Sequence, residues 1–174
     1  MEEWIEFLRF INEQLHSREL DRLEAFMMPA NFSSLVGEFV ASRIPRYCKA
    51  LLKNRYHNGH PDLVPKGHHR GNSALHGDTG IEVKASRYPR GWQGHNAEAC
   101  WLLVFVFQAN SAADALKGIA QKPFGFRAVY GAQLSMSDWQ FSGRSETSRR
   151  TITASVTRTG YDKLTANWIY RISD

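Results

Sequence analysis

The sequence is poor in the devices that staple or anchor a chain. Of its 174 residues only two are cysteine, Cys48 and Cys100, far apart and without the paired spacing of a disulfide framework or a zinc knuckle. Two reduced thiols in a cytoplasmic protein are expected. No apolar run is long: Ala99 to Phe107 is about half of what a helix needs to cross a bilayer. No membrane partner is therefore expected. The start, Met1-Glu2-Glu3-Trp4, lacks the basic and apolar order of a secretory signal. Six prolines, 13 glycines and a 22% charged fraction exclude collagen-like, coiled-coil and disordered chains.

What is present suits one packed domain. Hydrophobic residues make up 43% of the chain, enough for a core at this length. The net charge of +5 is unevenly placed. Residues 1–30 hold seven acids and three bases, whereas residues 43–90 hold ten bases and three acids. A basic middle of this kind fits a polyphosphate partner, since neutralised phosphates release their condensed counterions.

Periodicity predicts the elements. Trp4, Leu8, Ile11 and Leu15, then Leu20, Leu23 and Met27, mark a broken helix that Pro29 ends. Asn31 or Ser33 is expected to cap a second helix through Leu35, Val36, Phe39, Val40 and Ala41, which kinks or restarts at Pro45 before Leu51. Leu63-Val64 reads as a short strand, residues 66–79 as a long hairpin tip, and Ile81, Val83 and Ala85 as the apolar face of an alternating strand. The unbroken run Trp101 to Phe107 suits a central strand covered on both faces. A short helix through Ala115, Leu116 and Ile119 and a strand from Phe126 to about Leu134 follow. Strands around Ala154 and Trp168 close the chain. One α/β domain is expected over 1–174: a helical unit at 1–30, a core at 31–134 and a C-terminal β elaboration at 135–174.

The chemistry concentrates in three residues. Asp62 follows Pro61, and twenty residues on comes Glu82-Val83-Lys84. Strand periodicity puts Glu82 and Lys84 on one face, and a hairpin would bring Asp62 beside them. Two carboxylates converging with a backbone carbonyl, that of Val83, form a hard oxygen site of the kind that holds Mg²⁺. The ammonium can orient a metal-bound water and offset charge on an attacked phosphate.

These residues resemble the PD-(D/E)XK nuclease superfamily, which includes many restriction endonucleases and DNA-repair nucleases. Pro61-Asp62 and Glu82-Val83-Lys84 match its motif in order and spacing, and the likeness covers residues 31 to 134. The resemblance implies a restriction-endonuclease-like mixed central sheet flanked by helices, with an αβββαβ core. It also implies that Asp62 and Glu82 ligate Mg²⁺, with Mn²⁺ as a substitute, and that Lys84 serves the attacking water. Many relatives add an acid from the preceding helix, and Glu38 is the only acid between Asn31 and Lys53. The Gln-x-x-x-Tyr helix of the exonuclease branch is missing after Lys84.

Two polar segments are expected to touch nucleic acid. Ser86, Arg87, Arg90, Trp92, Gln93, His95 and Asn96 lie directly downstream of Lys84, offering phosphate donors, a stacking ring and base-edge partners. Arg144, Arg149 and Arg150 lie among serines and threonines. His57, His60, His68, His69 and His76 fall within twenty residues, but no cysteine joins them in sequence and their spacing matches no closed zinc pattern. The expectation is a Mg²⁺-dependent DNA endonuclease of restriction, anti-phage or repair type. One such site cuts one strand, so double-strand cleavage calls for a dimer or sequential nicking; a homodimer is expected, with the first 30 residues as a candidate interface. The alternatives are a nucleic-acid-binding module without turnover and a zinc-loop interaction protein.

Overall fold

The computed structural model describes residues 1–94, 96–120, 122–141 and 153–172. His95, Arg144, Arg149 and Arg150 of the expected nucleic-acid surface lie outside the described residues, as does Ile152. Among the described residues no helix is long and apolar enough to cross a membrane.

Helix α1 (Glu2–His16) and the short α2 (Leu23–Phe26) precede the long α3 (Pro29–Tyr47). Pro29 opens α3 and does not end the helix before it: proline's fixed φ suits the first turn, where its missing N–H would have no partner anyway. Neither Asn31 nor Ser33 caps, because the helix has already begun. Pro45 falls in the last turn, so α3 stops soon after it, and Leu51–Lys53 forms a strand, β1, where a restarted helix was expected. There follow β2 (Leu63–Pro65), β3 (Ile81–Ser86), the two-residue β4 (Gln93–Gly94), β5 (Trp101–Gln108), α4 (Ala112–Leu116) and β6 (Gly125–Gln133). The C-terminal part supplies β7 (Trp139–Phe141), β8 (Ala154–Val156), α5 (Arg158–Ala166) and β9 (Trp168–Arg171).

The molecule is mixed α/β. Its six-stranded sheet runs β1-β2-β3-β5-β6-β9, with β3 and β5 parallel and the other pairs antiparallel. As its unbroken apolar run requires, β5 is central and feeds two cores. Phe105 and Phe107 join Val83, Phe126 and Val129 on the face covered by α1 and α3, where Trp4 and Phe32 are fully buried. Leu102, Val104 and Val106 face the other way, under Trp92, Trp139, Ala154 and Leu164. That second cover is the small sheet β4-β8-β7 together with α5.

The N-terminal unit expected as an interface spends its apolar stripe on this core. Trp4 makes edge contacts with Phe32, Phe39 and Phe124, and Glu3 holds Arg43, Arg46 and Tyr47 of α3. The C-terminal part is equally integral, since β9 completes the main sheet and Leu164 of α5 is fully buried.

One feature of the sheet positions the site. Strands β2 and β3 pair at a single register position, Leu63 opposite Ile81, and then diverge. Beyond Glu82 the β2-side edge of β3 is an open fork.

A candidate metal and phosphodiester site at the β2–β3 fork

The register that sets Leu63 against Ile81 sets Asp62 across from Glu82. Asp62 occupies the place a continued ladder would fill: its Oδ2 accepts the Val83 amide at 2.9 Å. In an extended strand the N–H and C=O of one residue leave on the same side, so the Val83 carbonyl faces the same open edge. Gly37 of α3 lies against this part of β3, where a Cβ would stand 4.0 Å from that carbonyl oxygen, in ordinary contact.

The fork opens into a cleft of about 390 Å³ lined by Gly37, Glu38, Asp62, Glu82, Val83, Lys84, Gln93 and Gly94, among others. The expected quartet of Glu38, Asp62, Glu82 and Lys84 is therefore brought to one cleft. Glu38 stands exposed at its mouth and pairs with Lys53. On the far side of Glu38 and Asp62 a second hollow of about 460 Å³ is lined by Arg55, Tyr56 and His57. The two hollows share those acids in their linings.

The charges are unequal in support. Burial, then the neighbouring Glu82, pushes the Asp62 carboxyl up to about 6, against the pull of the Val83 amide and Lys84. Burial also works against Glu82, but the His60 hydrogen bond (Nδ1 to Oε2, 3.0 Å) and Lys84 (Nζ to Oε1, 3.2 Å) hold it below the usual carboxylate range. Lys84 stays a firm ammonium despite its burial, because Glu82, Glu98 and Asp62 surround it. Among the described residues the Asp62 carboxylate accepts one hydrogen bond. A half-buried carboxylate so thinly served, beside a second carboxylate and a carbonyl, belongs to a donor set that fits a hard divalent cation.

Three residues at this site give little warning in the sequence. Glu98 and Cys100 precede β5 in a loop without periodicity, yet both reach His60. Asn54 fixes the loop that carries Asp62: its amide nitrogen donates to the Pro61 and Ala74 carbonyls, and its Oδ1 accepts the Tyr56 and Ala74 amides. Its own N–H donates to the Asp62 carbonyl at 2.8 Å. An asparagine just after a three-residue strand offers only turn propensity as a signal.

The downstream loop divides. Arg90, Gln93 and Asn96 are exposed, and Gln93 lines the cleft. Trp92, expected as a stacking ring, is instead 3% exposed: it packs against Tyr130 and Tyr161 and donates its indole N–H to the Tyr88 carbonyl. An aromatic in a polar loop here joins Trp139 in closing the second core. Arg87 is likewise turned inward, donating to the Ala109 and Asn110 carbonyls past the end of β5, and the Ser86 hydroxyl accepts the Tyr88 amide. These two are placed to shape the loop.

No protein-family model, curated protein or solved structure matches this chain. The functional reading rests on the residues and their geometry.

Proposed function

We propose that the chain is a divalent-metal-dependent endonuclease that hydrolyses DNA phosphodiester bonds at the β2–β3 fork, on a core of the restriction-endonuclease-like type. The observation that carries this reading is the convergence of Asp62, Glu82, the Val83 carbonyl edge and Lys84 in one open cleft. The order α3, β2, β3, β5, α4, β6 supports the same reading, with β1 added at the edge.

Asp62, Glu82 and the Val83 carbonyl would hold Mg²⁺, or Mn²⁺ in its place, which when bound supplies Lewis acidity and a water of lowered pKa. The chain's own residues do the rest. Lys84, fixed by Glu82, donates a hydrogen bond to the attacking water and offsets the negative charge that builds on the phosphorane oxygens. The water oxygen forms the new bond to phosphorus and gives up a proton to solvent, the bridging P–O bond opposite it breaks, and the departing alkoxide takes a proton from solvent. Exposed Arg55 and Gln93 line the two hollows as backbone and base-edge partners, and exposed Arg90 and Asn96 belong to the same loop as Gln93.

Supercoiled plasmid tests this. Incubation with Mg²⁺ or Mn²⁺ yields nicked circles, EDTA prevents it, and Lys84→Ala retains plasmid binding while losing the nicks. Binding without nicking in the wild type would overturn the hydrolase and leave a DNA-binding module.

A further inference from the structure

Next to Glu82, among residues that do not line the cleft, a second group of ligating side chains converges. His60 Nδ1 lies 3.7 Å from Glu98 Oε1, and the Cys100 thiol, which donates to the Trp101 carbonyl at 3.4 Å, lies beside them. Ligand atoms of His60, Glu98 and Cys100 all fall within 4.8 Å of one another. Glu82 Oε2, 3.0 Å from His60 Nδ1, adjoins them as a fourth. We infer that His60, Glu98 and Cys100, with Glu82 or a water completing the set, bind a borderline-soft divalent cation of the Zn²⁺ class at a site distinct from the hard-cation site of Asp62.

The chemistry separates the two sites. Imidazole nitrogen and thiolate sulfur select Zn²⁺ over Mg²⁺, whose preference is oxygen and water. Ligands around tetrahedral zinc stand about 3.5 Å apart, so side-chain shifts of about an ångström close this set. The thiolate and the carboxylates of Glu98 and Glu82 carry three negative charges, which the cation and the Lys84 ammonium balance. The sequence hides the group because its members come from two separated segments and the histidine has four neighbours of its own kind.

The backbone under each ligand is pinned independently, as a preformed site requires. The His60 amide donates to the Leu75 carbonyl and His60 bridges to His76. The Cys100 carbonyl accepts the Leu134 amide, and the Glu98 carbonyl accepts the Trp139 indole N–H at 2.9 Å. A cation here ties the loop carrying Asp62 to the start of β5. The inference does not rest on the nuclease reading, and its test is separate.

The full chain, freed of metal, is titrated with Co²⁺ and followed in the ultraviolet and visible. One equivalent is expected to raise a thiolate-to-cobalt charge-transfer band with the strong visible bands of four-coordinate cobalt, and one equivalent of Zn²⁺ removes both. The spectrum persists in Cys48→Ser and Asp62→Asn and is lost in Cys100→Ser. Circular dichroism reports folding of each variant; if Cys100→Ser fails to fold, His60→Asn, losing the same spectrum, takes its place. Wild type without the charge-transfer band, or a folded Cys100→Ser or His60→Asn that keeps the full spectrum, overturns the inference. Loss of nicking with the cobalt spectrum intact would instead speak only against the nuclease reading.

Discussion

Two aspartates drawn in from solvent, half-buried Asp62 at the fork and buried Asp138 under α5, are treated very differently by their surroundings. Asp138 accepts the Ser135 amide at 2.8 Å, the Ser135 hydroxyl at 2.8 Å and the Lys163 ammonium at 2.7 Å, and its main-chain carbonyl accepts the Thr157 amide and hydroxyl. Burial opposes its charge, but Lys163 and Ser135 hold the carboxyl below the usual range. Glu24, also buried, is similarly served by Asn12 and Arg22. Asp62 has one amide and a carboxylate neighbour, and it is pushed up to about 6. A buried acid with a full set of donors holds structure together. One left short of them, at the edge of a cleft, is what the proposed cation site requires.

Substitutions that exchange the two roles test this contrast. The largest effect is expected from Lys84→Ala, which removes the ammonium at the fork: nicking of supercoiled plasmid falls by about 10³-fold with DNA affinity nearly unchanged. Unchanged nicking would remove Lys84 from the chemistry. Next comes Asp138→Asn, which weakens the bond to Lys163 and the Ser135 cap; urea unfolding is expected to show a loss of about 2 kcal/mol. Nicking per folded molecule stays at the wild-type level.

Asp62→Asn, in EDTA, has the smallest expected effect on stability and the opposite sign. It relieves a buried charge and its repulsion with Glu82, so the metal-free protein at neutral pH is as stable as wild type or more so. The pH dependence follows. The ordinary value of 3.8 for an aspartate rises to about 6 in the folded chain. The folded state thus holds this proton more tightly, a contribution to stability that is full below about pH 4 and lost as pH rises through 6. The advantage of Asp62→Asn over wild type, read from urea midpoints, should therefore fade as pH falls from 7 to 4. Asp138, with its carboxyl lowered, has the reverse sign: its contribution is present at neutral pH and lost in acid. A gap for Asp62→Asn that widens in acid would show its carboxylate to be well served after all.

Much of the fork is legible in the sequence, for a physical reason. The period of two in Ile81 to Ser86 places Glu82 and Lys84 on one face, and the double-sided apolar run of β5 fixes that strand at the centre of the sheet. What escapes is whatever depends on contact between distant loops. Three residues of β1 are too few to show a period, and α5 buries only Gly160 and Leu164, so its pattern is polar nearly all round. Trp92 reads as a surface ring until Tyr130 and Tyr161 are seen to enclose it. Glu98, Cys100 and Asn54 sit in loops, where no period marks them and only the folded chain gathers them around Asp62 and His60.

The proposal that the fork takes a divalent cation on Asp62, a carboxylate short of hydrogen-bond donors, is put to its sharpest test by Mn²⁺ binding followed by electron paramagnetic resonance. Wild type and Asp138→Asn are expected to take up one tightly held Mn²⁺, competed by Mg²⁺, and Asp62→Asn to leave it free in solution. Equal Mn²⁺ uptake by folded Asp62→Asn and wild type would contradict the account.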